Sequence, residues 1–385
     1  MKIGIMGLTG LSSIAALWAR RVAPRASITL FMHGDGVIYD AVPEYLAGRS
    51  NDACLTLASG FILGVALRLR LIREGNNVRD FDKVGVEISW RRKLIISGEG
   101  LFERIYLDEV EGLKALRTLL KGVDRVDLRG PLPEAALLAQ GLLDAGVKIT
   151  CLEMYNIADY FDPDMRALMF KLLEKSGVGI REKNKRDYLF EIRRELPRPV
   201  TSTINIMGYK KVLVFGDLVK DRELLTGRAK FFDDLGLNYR RALIAGLKLG
   251  GVNLKVKGFP NRLFFRIGNL AALSLGSTSS TLRGLGTKVS TRISVQGRGG
   301  KRTIIKLISD RISRRLLGAQ VIVHGAGELY SGLELAFHQG STLDELIYEL
   351  LFVEGTYPLL RGVLSNAIEA LWVKAGIPQL KGDIT

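Results

Sequence analysis

The chain has 385 residues, enough for two or three domains, with 47% hydrophobic and 25% charged residues and no low-complexity tract. Its formal net charge of +16 favours contact with something anionic: nucleic acid, an acidic protein or a membrane surface. Two separated cysteines, Cys54 and Cys151, and three scattered histidines, His33, His324 and His338, argue against a disulfide framework and against any metal site. The longest uncharged run, Ala53 to Leu67, is too short to cross a bilayer as a helix, so a cytoplasmic protein with no transmembrane segment is expected.

Taken in order, the chain opens with an apolar strand, Met1 to Met6, and the turn Gly7-Leu8-Thr9-Gly10. A helix from Leu11 to Arg21 and a strand from Ser27 to Phe31 complete a unit of the kind that binds dinucleotides. Asp52 to Ile72 reads as a helix, apolar to Leu67, which a core or a subunit interface would bury. Short strands at Lys83–Ser89 and Lys93–Ser97 and a helix at Val110–Leu120 follow. A second unit starts with the strand Val126 to Leu128, breaks at Arg129-Gly130-Pro131, and continues in a helix from Pro133 to Ala145. Its second strand, Val147 to Leu152, ends in Glu153, where an acid can hold a ribose. Phe161-Asp162-Pro163-Asp164-Met165 leads into another helix, to Lys175. Beyond it, the apolar strand Lys211 to Phe215 ends in Gly216-Asp217, and a helix spans Asn238 to Leu249. Strands Val289–Ser294, Thr303–Ile308 and Leu317–Val323 would form an antiparallel sheet.

Both phosphate turns are poor in glycine. Such glycines let backbone N–H groups approach a pyrophosphate at the helix N-terminus. The first turn has only Gly7 and Gly10, and the second only Gly130, followed by Pro131, Leu132, Pro133 and Glu134. A proline removes a donor, and Glu134 puts a negative charge where phosphates would lie. Proline and a carboxylate in a helix's first turn are also ordinary capping chemistry. The second turn reads as a dinucleotide-fold unit whose nucleotide site has closed.

In order, spacing and the "FDPDM" step, the chain resembles the pyridine-nucleotide-disulfide oxidoreductases, nearest the coenzyme A-disulfide reductase and NADH oxidase branch. The "LLGAQ" and "STLDEL" steps within Arg314 to Leu371 are similar to that family's C-terminal domain. The resemblance implies an α/β fold: two interleaved Rossmann-like FAD/NAD(P)-binding domains plus a C-terminal α+β dimerisation domain. The expected division is residues 1–108 with 211–280, then 109–210, then 281–385. It implies cofactor contacts at Gly7, Gly10, Gly130, Glu153, Gly216 and Asp217, with Asp217 on the ribityl chain of a flavin. Other family features are missing. Met32-His33 stand at the acid for the adenosine ribose, with Asp35 displaced. The redox cysteine falls at or beside Val42, although Pro43 and Tyr45 survive, and Cys54 lies inside an apolar run. The first crossover strand is not found, and the second, near Tyr188 to Val200, is short. Thiol chemistry is therefore not expected. FAD remains a cofactor the chain could hold, whereas NAD(P) is not expected.

Residues 254–315 concentrate the charge. Lys255, Lys257, Arg262, Arg266, Arg283, Lys288, Arg292, Arg298, Lys301, Arg302, Lys306, Arg311, Arg314 and Arg315 face one acid, Asp310. Phe259, Phe264 and Phe265 interleave, so phosphate binding with base stacking is one expectation. Arg292 and other basic residues could line one surface of strands. Downstream acids, Glu328, Glu334, Asp344, Glu345, Glu349 and Glu354, could instead neutralise the stretch across a dimer interface. Two function classes stand. One is a divergent, non-thiol oxidoreductase relative, catalytically inactive or flavin-only. The other is a non-catalytic basic scaffold that binds nucleic acid, a ribonucleoprotein or an acidic protein, as a homodimer or a heterodimer with a related subunit.

Overall fold

The computed structural model describes residues 1–7, 10–32, 37, 41–52, 68–72, 81–87, 89, 91–98, 101–180, 188–195, 212–232, 234–298, 301–324, 330–346, 367–368, 371 and 374. Cys54, His33, Asp35 and most of the expected helix from Asp52 to Ile72 lie outside them. The chain divides into two compact units, the first Met1–Tyr155, Gly177–Arg222 and Arg228–Phe259, the second Asn156–Ser176, Glu223–Gly227 and Pro260–Thr385.

The N-terminal elements of the first unit are β1 (Lys2–Gly7), α1 (Gly10–Val22), β2 (Ser27–Met32), α2 (Val42–Leu46), β3 (Arg70–Ile72) and β4 (Lys83–Glu87). They continue with β5 (Arg91–Gly98), β6 (Leu101–Tyr106), α3 (Val110–Leu119), β7 (Arg125–Pro131), α4 (Glu134–Asp144) and β8 (Lys148–Tyr155). After α5 (Pro163–Lys175), which belongs to the second unit, come β9 (Tyr188–Glu195), β10 (Val212–Phe215), β11 (Asp221–Arg222), β12 (Ala229–Lys230) and α6 (Leu235–Leu249).

The first sheet, ordered β10-β4-β1-β2-β3, is wholly parallel. Its strands are near-continuous apolar runs because both faces are covered. Ile3, Ile5, Ile28 and Leu30 pack with the alanine face of α1 (Ala15, Ala16, Ala19) and with Ala242 and Ala245 of α6. Arg70 to Ile72 form a strand beside Thr29 to Phe31, not the end of a helix. The chain turns at Arg68 (φ 50), and Leu71-Ile72 then find a parallel partner whose ladder satisfies their backbone groups.

The second sheet runs β6-β5-β9-β7-β8. β7 does not break at Arg129: it stays paired with β8 as far as Pro131 opposite Tyr155. Gly130 is thus a strand residue, and a Cβ there would stand 2.8 Å from Ile192 of β9. Glu153 is likewise inside β8.

In the second unit, β13 (Arg262–Ile267), β14 (Leu270–Gly276), α7 (Ser279–Gly284), β15 (Val289–Arg298), β16 (Lys301–Asp310), β17 (Leu316–His324) and α8 (Tyr330–Gln339) follow. The antiparallel sheet is ordered β13-β14-β17-β16-β15. Leu273, Leu275, Ile305, Leu307 and Val321 on one face pack with Leu333 and Phe337 of α8. The other parity, Ser274, Lys306 and Gln320, meets the segment around the start of α5: Ser274 Oγ donates to the Tyr160 carbonyl, and Gln320 Nε2 donates to Asp162 at 3.1 Å. Among the described residues no helix is long and apolar enough to cross a membrane.

Candidate functional site

In an open parallel sheet a ligand lies outside the carboxyl ends of the strands, where the strand order reverses. Here that point is between β1 and β4, with Gly7 closing one strand and Glu87 the other. The Glu87 side chain is buried (5% exposed) and turns onto the N-terminus of α1. Ser12 N–H donates to Glu87 Oε2 (3.1 Å), and Ser89 Oγ donates to Oε1 (3.0 Å). Gly7 is needed for this close approach: a Cβ on it would collide with Glu87 Oε2 and Ser12 Cβ. The helix N-terminus that would face a pyrophosphate therefore faces the chain's own carboxylate. Gly10 begins α1 and is buried.

At the second strand-turn-helix-strand stretch, also within the first unit, Glu134 is the first residue of α4 and is 3% exposed. Two arginines reach it. Arg92 Nε of β5 donates to Oε1 at 2.8 Å, and Arg194 of β9 grips both oxygens, at 3.1 and 2.7 Å. Arg92 Nη2 also donates to Asp217 Oδ2 at 2.5 Å, and its backbone N–H donates to Asp108 Oδ2. The Asp217 carboxylate, 4% exposed, is thus joined to a buried ion cluster that ties the end of β10 to the second sheet. Gly216 makes the turn that delivers it, at φ 117.

The protonation states follow from burial and neighbours. Burial works to raise the Glu134 pKa, but Arg194 and Arg92 outweigh it and hold the carboxyl below its usual range. Burial likewise opposes the Arg92 charge, and Asp217 and Glu134 more than restore it. Asp108 is different. Burial pushes its carboxyl well above the ordinary range, the Arg92 N–H only partly offsets this, and the nearby Asp217 and Glu134 charges add to the rise.

The residues present therefore do not fit a dinucleotide in the usual way. The first pyrophosphate place holds Glu87, the second helix begins with arginine-bound Glu134, and Asp217 is engaged by Arg92. Glu153 is exposed and lies 3.2 Å from Arg129 Nε. Val42 is buried in α2, so no thiol occupies that position. Among the described residues no group of three or more His, Cys, Asp or Glu could hold a metal ion.

Neither a protein-family model nor a curated protein sequence matches the chain. Solved structures do. A NAD-dependent persulfide reductase from A. fulgidus superposes with a TM-score of 0.76 at 14% identity, over 96% of this chain and 83% of that one. A water-forming NADH oxidase from Lactobacillus brevis gives 0.71 at 14% identity, over 97% and 99% of the two chains. A pyridine nucleotide-disulfide family oxidoreductase from Enterococcus faecalis gives 0.68 at 17% identity, over 97% and 99%. The fold is that of the pyridine-nucleotide-disulfide oxidoreductases.

On this oxidoreductase fold the basic stretch is divided between the two units. Lys255 and Lys257 are exposed and belong to the first unit; the remaining cations belong to the second. Lys306 is buried and paired with Asp162 (2.9 Å) and Asp164 (2.7 Å), so its expected place in an anion-binding surface is corrected. It shares strand parity with Ile304 and Ile308, whereas Arg292 sits opposite Leu307 on the other face. Arg314 meets Asp344 (3.0 Å), and Arg262 lies 3.6 Å from Glu334, so some of the downstream acids act within the chain. Arg266, Arg283, Lys288, Arg292, Arg302, Arg311 and Arg315 are exposed. Arg298 and Lys301 pair at the hairpin end; their side chains lie outside the described part. Of the three aromatics, Phe265 packs edge-on to Phe161 and Phe259 to Phe232, leaving Phe264 exposed.

Sequence reasoning missed Glu87 and Arg92. Both left a signal: Glu87 ends a parallel strand beside the first glycine turn, and Arg92 has the parity of buried Leu94 and Ile96.

Proposed function

We propose that this chain is a non-catalytic oxidoreductase relative, working as a dimer subunit whose exposed cations bind an anionic macromolecular partner. The single observation that carries the first part is Glu87 lodged against Gly7 and the N-terminus of α1. A carboxylate already satisfies the donor and dipole that a phosphate would use, and a phosphate arriving there would meet its charge. Val42 at the redox position removes the thiolate on which disulfide, persulfide and peroxide reduction depend. Arg266, Arg283, Lys288, Arg292 and Arg302 remain solvent-accessible for the second part.

One observation favours a second reading, a flavin without NAD(P): Gly216-Asp217 keeps its turn at the end of β10. It requires Asp217 to leave Arg92. The discriminating experiment is reconstitution with FAD, followed by gel filtration and an NADH oxidation assay. The expected result is a colourless protein with no NADH consumption. Stoichiometric flavin, reduced by NADH, would overturn the non-catalytic reading. For the partner, purification from the native host should yield co-eluting anionic material that high salt removes; a partner retained in high salt would sink the electrostatic part.

A further inference from the structure

The outer flank of β10 carries a feature that neither dinucleotide place accounts for. A cleft of about 220 Å³ opens between β10, α6 and the segment Val256 to Phe259, wholly within the first unit. Its walls are apolar: Leu213, Phe215, Ile244, Val256 and Phe259. Its floor is rigid. Arg241, 4% exposed, donates to Asp221 Oδ2 (2.6 Å), the Gly216 carbonyl (3.0 Å), Asn238 Oδ1 (3.1 Å) and the Val219 carbonyl, and stacks on Phe232 and Phe259. This also engages Asp221, the only acid among the described lining residues. Two further lining cations, Arg222 and Lys248, have no acidic partner among the described residues.

An apolar cleft with a few convergent polar groups is the usual form of a small-molecule site. Two cations with no acidic partner among the described residues, set beside apolar walls, select the charge of what enters. We propose that this cleft binds an amphipathic anion, a compound with an aryl or acyl body and one carboxylate, sulfonate or phosphate. The apolar body lies along Leu213, Ile244 and Val256, and Arg222 and Lys248 hold the charged end.

The test uses the full chain and two fluorescent probes of one shape, anilinonaphthalene sulfonate and the uncharged N-phenylnaphthylamine. The sulfonate should bind at one saturable site and be displaced by decanoate. Arg222→Gln with Lys248→Gln should weaken sulfonate binding by about tenfold or more and leave the neutral probe unchanged. Val256→Trp, at an exposed rim position, should block both probes while the circular dichroism spectrum stays that of the parent. Sulfonate binding unchanged in the charge variant, or both probes still bound in folded Val256→Trp, would overturn the assignment.

Discussion

The N-termini of α1 and α4 stand at equivalent places in two strand-turn-helix-strand units, and each is met by a buried carboxylate held by different chemistry. Glu87 comes from a neighbouring strand and is satisfied by a backbone N–H and a hydroxyl. Glu134 belongs to the helix it begins and is satisfied by two arginines drawn from β5 and β9. The first needs only a glycine without a Cβ beneath it. The second needs a counter-charge, because several carboxylates gathered out of water cannot all stay ionised without cations. One fold position can thus hold a buried carboxylate by steric fit or by charge pairing, and the two arrangements should fail differently.

The largest effect is expected at the charged arrangement. Arg92→Met leaves Glu134 and Asp217 buried with less compensation and should cost about 3–5 kcal/mol in urea unfolding. A loss below about 1 kcal/mol would mean that water reaches the cluster. At the steric arrangement, Gly7→Ala forces a methyl into Glu87 and Ser12 and should cost about 1–3 kcal/mol. Adding Glu87→Ala should recover part of that loss; strictly additive costs would separate Gly7 from Glu87. A reference for an ordinary helix cap comes from Asp234, which accepts from Leu237 N–H at 2.7 Å. Asp234→Ala should cost about 1 kcal/mol, less than either arrangement.

The last comparison is a change with pH. The Asp108 pKa is raised in the folded chain, so its contribution is fully present below the ordinary aspartate range and is lost as pH rises toward the folded value. Asp108→Asn should therefore unfold like the parent in acid and gain relative thermal stability as pH rises. Glu134 has the opposite sign. Its pKa is depressed, so its contribution is present above the ordinary glutamate range and is lost as pH falls through the folded value. Glu134→Gln should close its stability gap to the parent on acidification. Parallel pH profiles for the two variants would contradict the opposite directions of the two shifts.

Much of the scaffold was legible in advance because local pattern and tertiary need agree there. The apolar runs of β1, β2 and β10, the helix that follows Phe161-Asp162-Pro163-Asp164-Met165, and the C-terminal antiparallel strands all appear where periodicity puts them. The sites were less legible. A linear count of residues 254–315 shows cations almost without acids, yet Lys306 meets Asp162 and Asp164, which lie more than a hundred positions earlier. Gly130 resembles a turn glycine in sequence and is a packing glycine between strands.

The amino-acid sequence by itself determined the alternation of strands and helices, the missing thiol at Val42 and the poverty of both glycine turns. These are properties of residue type and spacing along the chain. Only the tertiary structure decided what stands at the two helix N-termini and which charges are buried. Glu87 and Ser12 are far apart in sequence, as are Arg92 and Asp217, and the pairing of β4 with β1 and β10 brings together the chain segments that carry them. Electrostatic fit depends on distance through space and on exclusion of water, and neither can be read from order along the chain.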